Sequence, residues 1–281
     1  MINQSNSGEI LDKIRSSSKI LLTSHTNPDM DSTGSVLSFY QFLIQIGKNK
    51  TDIVFTDSIP KDFSFLPFSD KIRQKEISDE DITNYDLVIF LDSATLQRTT
   101  RATETFSIKS IFSINIDHHE TNEKFAFLNL VEATSSTCEL LYRLYKHWKI
   151  NISKDMALCL LTGITGDTNW FQYVENKSTF LIASELVSLG ASPKEISFYT
   201  LKNLSLNKLK FWGNCFLKAN IAKIDNIKYV WAAVCVDELI KAGGREVRQG
   251  VESFFNIIED TDFGIFITEQ EEGILSGSLR A

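Results

Sequence analysis

The feature that most constrains this chain is a repeated local grammar: a short apolar, β-branched run that stops abruptly at acidic or histidine residues. It occurs in "KILLTSH" (19–25), "YDLVIFLDSA" (85–94) and "IFSINIDHHET" (111–121). Runs of this length suit strands, and near-continuous apolar character suits burial on both faces, the habit of parallel sheets. After the first run, "GSVLSFYQFLIQIGK" (34–48) places Val36, Leu37, Phe39, Tyr40, Phe42, Leu43 and Ile46 at helical spacing, with Gly47 and Lys48 as stop signals. "TDIVFTD" (51–57) reads as a second strand. "GEILDKIRSS", "SSTCELLYRLYKHW" and "SKDMALCLLTGITGDT" read as helices. Strands alternating with helices predict an α/β domain with a mainly parallel sheet flanked by helices.

Residues 177–218 read as largely helical, broken at "GASPKE", where Pro193 suits a helix first turn. From about residue 221 the grammar changes. "IDNIKYVWAAVCV", "FGIFITEQ" and "GILSGSLRA" read as strands, with "GREVRQGVESFFNII" as a helix among them. The expected organisation is a first domain over 1–185, a helical linker over 186–220 and a second, smaller α+β domain over 221–281. The length of 281 residues suits two domains, and 43% apolar residues suit a soluble globular core.

Charge narrows the partners. Twenty-nine Lys and Arg against 36 Asp and Glu give a net charge of −7, so no general basic field exists for long duplex nucleic acid. The last 61 residues hold six basic and eleven acidic side chains, which excludes a basic clamp there. Lys202, Lys208, Lys210 and Lys218 fall in a stretch without carboxylates, read first as a solvated helix face and second as a cationic lining. No apolar run approaches the roughly 20 residues of a membrane helix, and the polar start lacks a signal-peptide core. A cytoplasmic location without membrane contact is expected. Cys138, Cys159, Cys215 and Cys235 form no C-x-x-C pair and are read as buried free thiols.

The candidate site residues are His25, Asp29, Asp31, Asp92, Asp117, His118, His119 and Asp167. Each alone has a structural reading: Asp29 in "NPD" as a turn residue, Asp92 as a cap, Asp167 as a helix-end turn. Together they point elsewhere, because three of the four histidines sit beside carboxylates at predicted strand ends. His147 in "YKHWK" is the outlier, read as an ordinary helix-end histidine. In open parallel sheets ligands bind outside the carboxyl ends of the strands. Imidazole with carboxylate and no thiolate suits Mn²⁺ or Mg²⁺ rather than structural Zn²⁺. Two such ions, about 3.5–4 Å apart, need a bridging carboxylate and suit phosphoester hydrolysis. They also supply the positive charge that the composition lacks. The "TGS" segment beginning the next helix offers N–H groups that could help hold phosphate.

"SHTNPDMDSTGS", "LVIFLDSA", "NIDHHETN" and "GDTNWF" together resemble the four ordered motifs of the DHH phosphoesterases, over roughly residues 18–175. The C-terminal stretch from "GGREVRQG" is similar to the start of a DHHA1 domain. Length and motif order resemble the subgroup of bifunctional oligoribonucleases and 3′-phosphoadenosine-5′-phosphate phosphatases. The resemblance implies a two-metal-activated water acting on short RNA or on that nucleotide. It implies two divalent cations, Mn²⁺ first, with Mg²⁺ or Co²⁺ as alternatives. His25 and Asp29 would hold one ion, Asp92 would bridge, and Asp31, His118 and Asp167 would hold the other. His119 would contact the substrate phosphate, Asp117 would orient the histidine pair, and His118, His119 and Asp92 form the implied catalytic set.

Arg280, in "GSLRA", matches the family's substrate-binding arginine, whose fork grips phosphate bidentately. The family pattern continues into a glycine-rich motif ending in histidine, whereas this sequence stops at Ala281. A fragment or a shortened substrate domain is therefore expected. Other activities within the same superfamily are those of a cyclic-dinucleotide phosphodiesterase, an inorganic pyrophosphatase or a single-strand exonuclease. A different class of reading is a nucleotide-binding protein on a degraded scaffold. A homodimer is compatible with the family, although no interface signature stands out.

Overall fold

The computed structural model describes residues 4–280 apart from 81, 103–105, 175, 202–204, 249, 256 and 272. It divides into two compact units, residues 1–200 and 201–281.

The first unit is built on six parallel strands: β1 (Ile20–Thr23), β2 (Thr51–Phe55), β3 (Ile72–Gln74), β4 (Leu87–Leu91), β5 (Ser113–Asp117) and β6 (Leu128–Val131). Their order is β3-β2-β1-β4-β5-β6, so the chain reverses its direction of sheet growth between β1 and β4. That reversal is where an open parallel sheet leaves a crevice at its carboxyl edge. Alternation along each strand decides the two faces. Ile20 and Leu22, Ile53 and Phe55, and Leu87, Ile89 and Leu91 join the main core. Leu21, Val54, Val88 and Phe90 turn the other way, into a smaller cluster with Ile77, Ile82, Tyr85 and Ile108.

Six helices surround the main core: α1 (Gln4–Ser16), α2 (Met30–Gln45), α3 (Thr137–His147), α4 (Lys154–Asp167), α5 (Lys177–Ser188) and α6 (Pro193–Thr200). Helix α2 contains four Ser or Thr residues and a Gly, a poor composition for an isolated helix. Tertiary burial holds it instead: Val36, Leu37, Phe39, Phe42 and Leu43 are fully buried, each contributing about 1.5–3 kcal/mol. Its contact with α4 is close because Gly34 faces the Cys159 carbonyl, where a Cβ would stand 2.4 Å away. Among the described residues no helix is long and apolar enough to cross a membrane.

The second unit carries β7 (Asn220–Ile224), β8 (Ile227–Val234), β9 (Phe263–Glu271) and β10 (Ile274–Arg280), in the order β10-β9-β8-β7. Only the β8–β9 pairing is parallel. Helices α7 (Leu206–Leu217) and α8 (Val236–Ala242) accompany it, and Phe211, Cys215, Val230, Ala232, Val234, Leu239 and Phe266 form its core. The stretch expected as a linker, 186–220, is divided between the units. The end of α5 and α6 bury Leu186 and Ile196 in the main core, and α7 buries Phe211 and Cys215 in the second.

Two further expectations change. "GREVRQGVESFFNII" forms two short 3₁₀ turns, Arg245–Arg248 and Val251–Phe254, rather than one helix. Gly250 between them has φ +91°, which interrupts any continuous helix. Cys138, Cys159 and Cys215 are buried free thiols, but Cys235 is exposed, because it follows the last buried strand residue and sits at the N-cap of α8. Lys218 is engaged by Glu238 at 2.5 Å and Lys208 lies over the Trp212 ring, while Lys202 lies outside the described residues.

Candidate metal centre

The candidate residues arrive from five places. His25 follows β1, Asp92 follows β4, Asp117 ends β5 with His118 and His119 after it, and Asp167 ends α4. Asp29 and Asp31 lie at the start of α2. All eight are brought together, in three groups whose ligand atoms lie within 4.8 Å of one another. These are His25, Asp29 and Asp92; Asp31, His118 and Asp167; and Asp92, Asp117, His118 and His119. His147 ends α3 on the surface, apart from them. Arg280 closes β10 opposite Gly264, and its side chain lies outside the described residues.

Asp92 belongs to two groups through different oxygens. Its Oδ2 is 3.4 Å from His25 Nε2, and its Oδ1 is 3.7 Å from His118 Nε2 and 3.8 Å from His119 Nδ1. Its backbone has φ +58°, a left-handed conformation that Asp tolerates better than most residues. The Asp92 amide still donates to the Ile116 carbonyl at 3.0 Å, so the strained residue is pinned by the sheet.

The histidine rings are oriented from behind. Nδ1 of His25 donates to the Thr26 carbonyl at 2.7 Å, and Nδ1 of His118 to the Thr134 carbonyl at 3.1 Å. A carbonyl can only accept, so Nδ1 carries a proton, and when the ring is neutral it is Nε2 that turns a lone pair inward. Nδ1 of His119 donates to Asp117 Oδ1 at 2.8 Å. This is the pattern by which outer partners fix metal-binding imidazoles. Nε2 of His118 is buried without a well-formed hydrogen bond, although Asp167 Oδ2 lies 3.0 Å away.

Electrostatics call for positive charge at the same point. Burial disfavours the His25 imidazolium, but Asp29 and Asp92 outweigh it and push the ring up to about 11. Burial likewise opposes charge on His118, and Asp167, Asp31 and Asp92 push it up to about 10. Burial and the charges of Asp92 and Asp167 raise Asp31 well above the carboxylate range. Asp167 is pushed up to about 6 by burial and by Asp92 and Asp29, against the pull of His118. Buried carboxylates this close repel unless protons or cations lie among them. A carboxylate and imidazole donor set with inward lone pairs fits divalent cations.

Several supporting residues carry no sequence signal that had marked them. Asp29 Oδ1 accepts from the Asp31 and Ser32 amides, while its Oδ2 lies 3.5 Å from His25 Nε2. This N-cap starts α2 ahead of the "TGS" segment, whose Thr33 amide already donates to the Asp29 carbonyl at 3.1 Å, so the expectation that the segment's amides are free for phosphate is overturned. The first turn of α3 reaches in from the other side. The Thr137 and Cys138 amides donate to Asp31 at 2.6 and 2.9 Å, and the Thr137 hydroxyl donates to Asp92 Oδ1 at 2.9 Å. Asn122 donates to Asp117 Oδ2 at 2.6 Å and Asn27 takes a positive φ, its amide bound by Asp57. A Ser before the helix "TCELLYRL" is legible as a cap, but what a helix end points at is not.

The model of the DHH family, N-terminal domain, matches residues 19–164. The bifunctional oligoribonuclease and PAP phosphatase NrnA of Thermus thermophilus is 24% identical over 91% of this chain and 74% of its own length. A protein of Streptococcus mutans described as a probable bifunctional oligoribonuclease and PAP phosphatase NrnA is 31% identical, over 63% of this chain and 55% of its own. This chain thus spans about three quarters of the first relative and about half of the second. The crystal structure of an exopolyphosphatase-related protein from Bacteroides fragilis superposes with a TM-score of 0.89 at 26% identity, covering 100% of this chain and 84% of that one. The chain belongs to the DHH family of phosphoesterases, enzymes that hydrolyse phosphoester bonds.

Proposed function

We propose that this chain is a divalent-metal phosphoesterase acting on short oligoribonucleotides and on 3′-phosphoadenosine 5′-phosphate. The observation that carries the reading is the divided use of Asp92, whose Oδ2 faces His25 and whose Oδ1 faces His118. A carboxylate shared in this way suits a bridge between two cation positions. His25 and Asp29 would complete one position, and Asp31, His118 and Asp167 the other. When bound, a pair of divalent ions supplies positive charge for phosphoryl oxygens and lowers the pKa of water, and Mn²⁺ is the ion proposed.

The remaining chemistry falls to the chain itself. The Thr26 and Thr134 carbonyls hold the His25 and His118 rings in the tautomer that leaves Nε2 free of its proton. His119 is the most exposed of the three rings, and Asp117 behind it accepts its Nδ1 hydrogen at 2.8 Å. It is therefore the ring placed to contact a phosphate oxygen of the substrate. Asn122 and the Asp117 carboxylate keep that ring from turning away. The acidic composition, with no basic track, favours a short anionic substrate over a long strand.

The reading is tested by Mn²⁺-dependent turnover of the 281-residue chain on a dinucleotide RNA, on 3′-phosphoadenosine 5′-phosphate and on a cyclic dinucleotide, beside Asp92→Ala. Turnover of the first two, lost in the variant, supports it. Turnover of the cyclic dinucleotide alone moves the substrate assignment, and metal binding with no turnover points to a binding protein.

A further inference from the structure

Glu139 is a buried carboxylate outside the three groups, 1% exposed in the first turn of α3. Its Oε2 accepts from the Ser135 hydroxyl at 2.5 Å and from the Thr179 hydroxyl of α5 at 2.7 Å. Its Oε1 pairs with Arg143, whose guanidinium also donates to the Ser178 hydroxyl at 3.1 Å. A buried carboxylate with its charge and lone pairs this fully answered is a rigid anchor.

What it anchors is the segment 134–138. The Thr134 carbonyl orients His118, the Thr137 and Cys138 amides bind Asp31, and the Thr137 hydroxyl binds Asp92. Within the segment, the Thr134 hydroxyl donates to the Ser136 carbonyl at 2.8 Å, and the Ser136 hydroxyl accepts from the Glu139 amide at 3.0 Å. Three residues of this five-residue segment, Thr134, Thr137 and Cys138, therefore touch three of the proposed ligands, and those ligands serve both cation positions. A small displacement of the segment would move all three together.

We infer that Glu139 is a positioning residue of the metal centre, acting through Ser135 on the 134–138 segment. The inference deepens the proposed function and rests on its ligand assignment. The requirement for a carboxylate follows from the donors. Replacing one oxygen by an amide NH₂ sets a donor either against Arg143 or against two hydroxyls that must reverse to accept it.

Glu185 supplies the control. It also ties α5 to α3, accepting from Tyr142 at 2.5 Å and Lys146 at 2.8 Å, but it touches nothing in 134–138. The experiment is Mn²⁺ titration by calorimetry, with electron paramagnetic resonance of the loaded protein, on wild type, S135A, E139Q, the S135A/E139Q double variant and E185Q. Thermal midpoints are recorded for each. S135A and E139Q are expected to bind Mn²⁺ about tenfold more weakly and to lose the signal of a coupled ion pair. The double variant should lose little more than either single one, because both act on one link. E185Q should lower the thermal midpoint and leave affinity unchanged.

S135A removes a single hydroxyl, so it keeps the test open if E139Q folds poorly. Wild-type affinity in S135A and E139Q would overturn the positioning role alone. So would a loss in all three single variants that follows their thermal midpoints. A wild-type protein that binds no Mn²⁺ would sink the metal reading as well.

Discussion

The Thr137 hydroxyl donates to Asp92 Oδ1 at 2.9 Å, joining the first turn of α3 to the carboxylate that two groups of candidate ligands share. Both residues are buried, so the bond is not exchanged readily for one to water. Thr137→Val keeps the shape and removes the donor, leaving Oδ1 without that partner. Mn²⁺ affinity is expected to fall about tenfold while the fold is retained. Calorimetric titration checks this, and unchanged affinity would show that the bond plays no part in holding Asp92.

Asp92 itself separates backbone strain from chemistry. At φ +58° an Asn is tolerated, whereas an Ala is disfavoured by about 1–2 kcal/mol. Asp92→Asn is therefore expected to melt close to wild type and Asp92→Ala several degrees lower. Both are expected to lose more than ~100-fold in metal-dependent turnover, since even outer partners of ligands cost that much. Equal melting of the two variants would refute the strain argument. Full activity in Asp92→Asn would refute the bridge.

These two residues also mark what the sequence could tell. Asp92 was legible because an apolar run ending in a carboxylate places that group at the carboxyl edge of a parallel strand. The main strands and helices were legible from the same periodicity. Thr137 was not, because its role depends on where the helix that it opens meets the sheet, and one sequence carries no distances. Strand β3 has only three residues, half-exposed or exposed, and β6 four at the opposite edge, so neither offers a long apolar run to read. The expected free amides of the "TGS" segment failed for a related reason. Asp29 was assigned to an ion, and nothing in its spacing said that it would also cap a helix beginning at Met30, which puts that segment inside the helix.

Gly163 and Gly213 both lie inside helices and predict opposite outcomes for the same substitution. A Cβ at Gly163 would fall 2.2 Å from Cys138 Sγ and 2.5 Å from Asp31 Oδ1. Gly163→Ala is expected to destabilise by about 1–3 kcal/mol and to weaken metal binding by displacing Asp31. At Gly213 no atom lies within 4 Å of the added carbon. Gly213→Ala is therefore expected to stabilise α7 by about 0.5–1 kcal/mol through helix propensity. Urea unfolding of the two variants reads the sign directly, and a stabilising Gly163→Ala would mean that α3 and α4 have room to separate.

Glu80 gives a pH dependence away from the metal centre. Burial opposes its charge, but Lys75 at 3.2 Å, the Tyr85 hydroxyl at 3.0 Å and Arg73 at 3.5 Å hold its carboxyl below the usual range. The folded state therefore binds the proton more weakly than the unfolded chain, whose glutamate titrates near about 4.3. The stabilisation is complete above that value and is lost as pH falls through the depressed folded one. Glu80→Gln is expected to cost about 1 kcal/mol at about pH 7, a modest figure because Lys75 and Arg73 remain partly exposed. The gap between variant and wild type should hold constant from neutral pH down to about 5.5 and shrink below about 4. Urea midpoints across that range measure it. A gap that persists at the acid end would assign the effect to packing around Tyr85 rather than to the charge on Glu80.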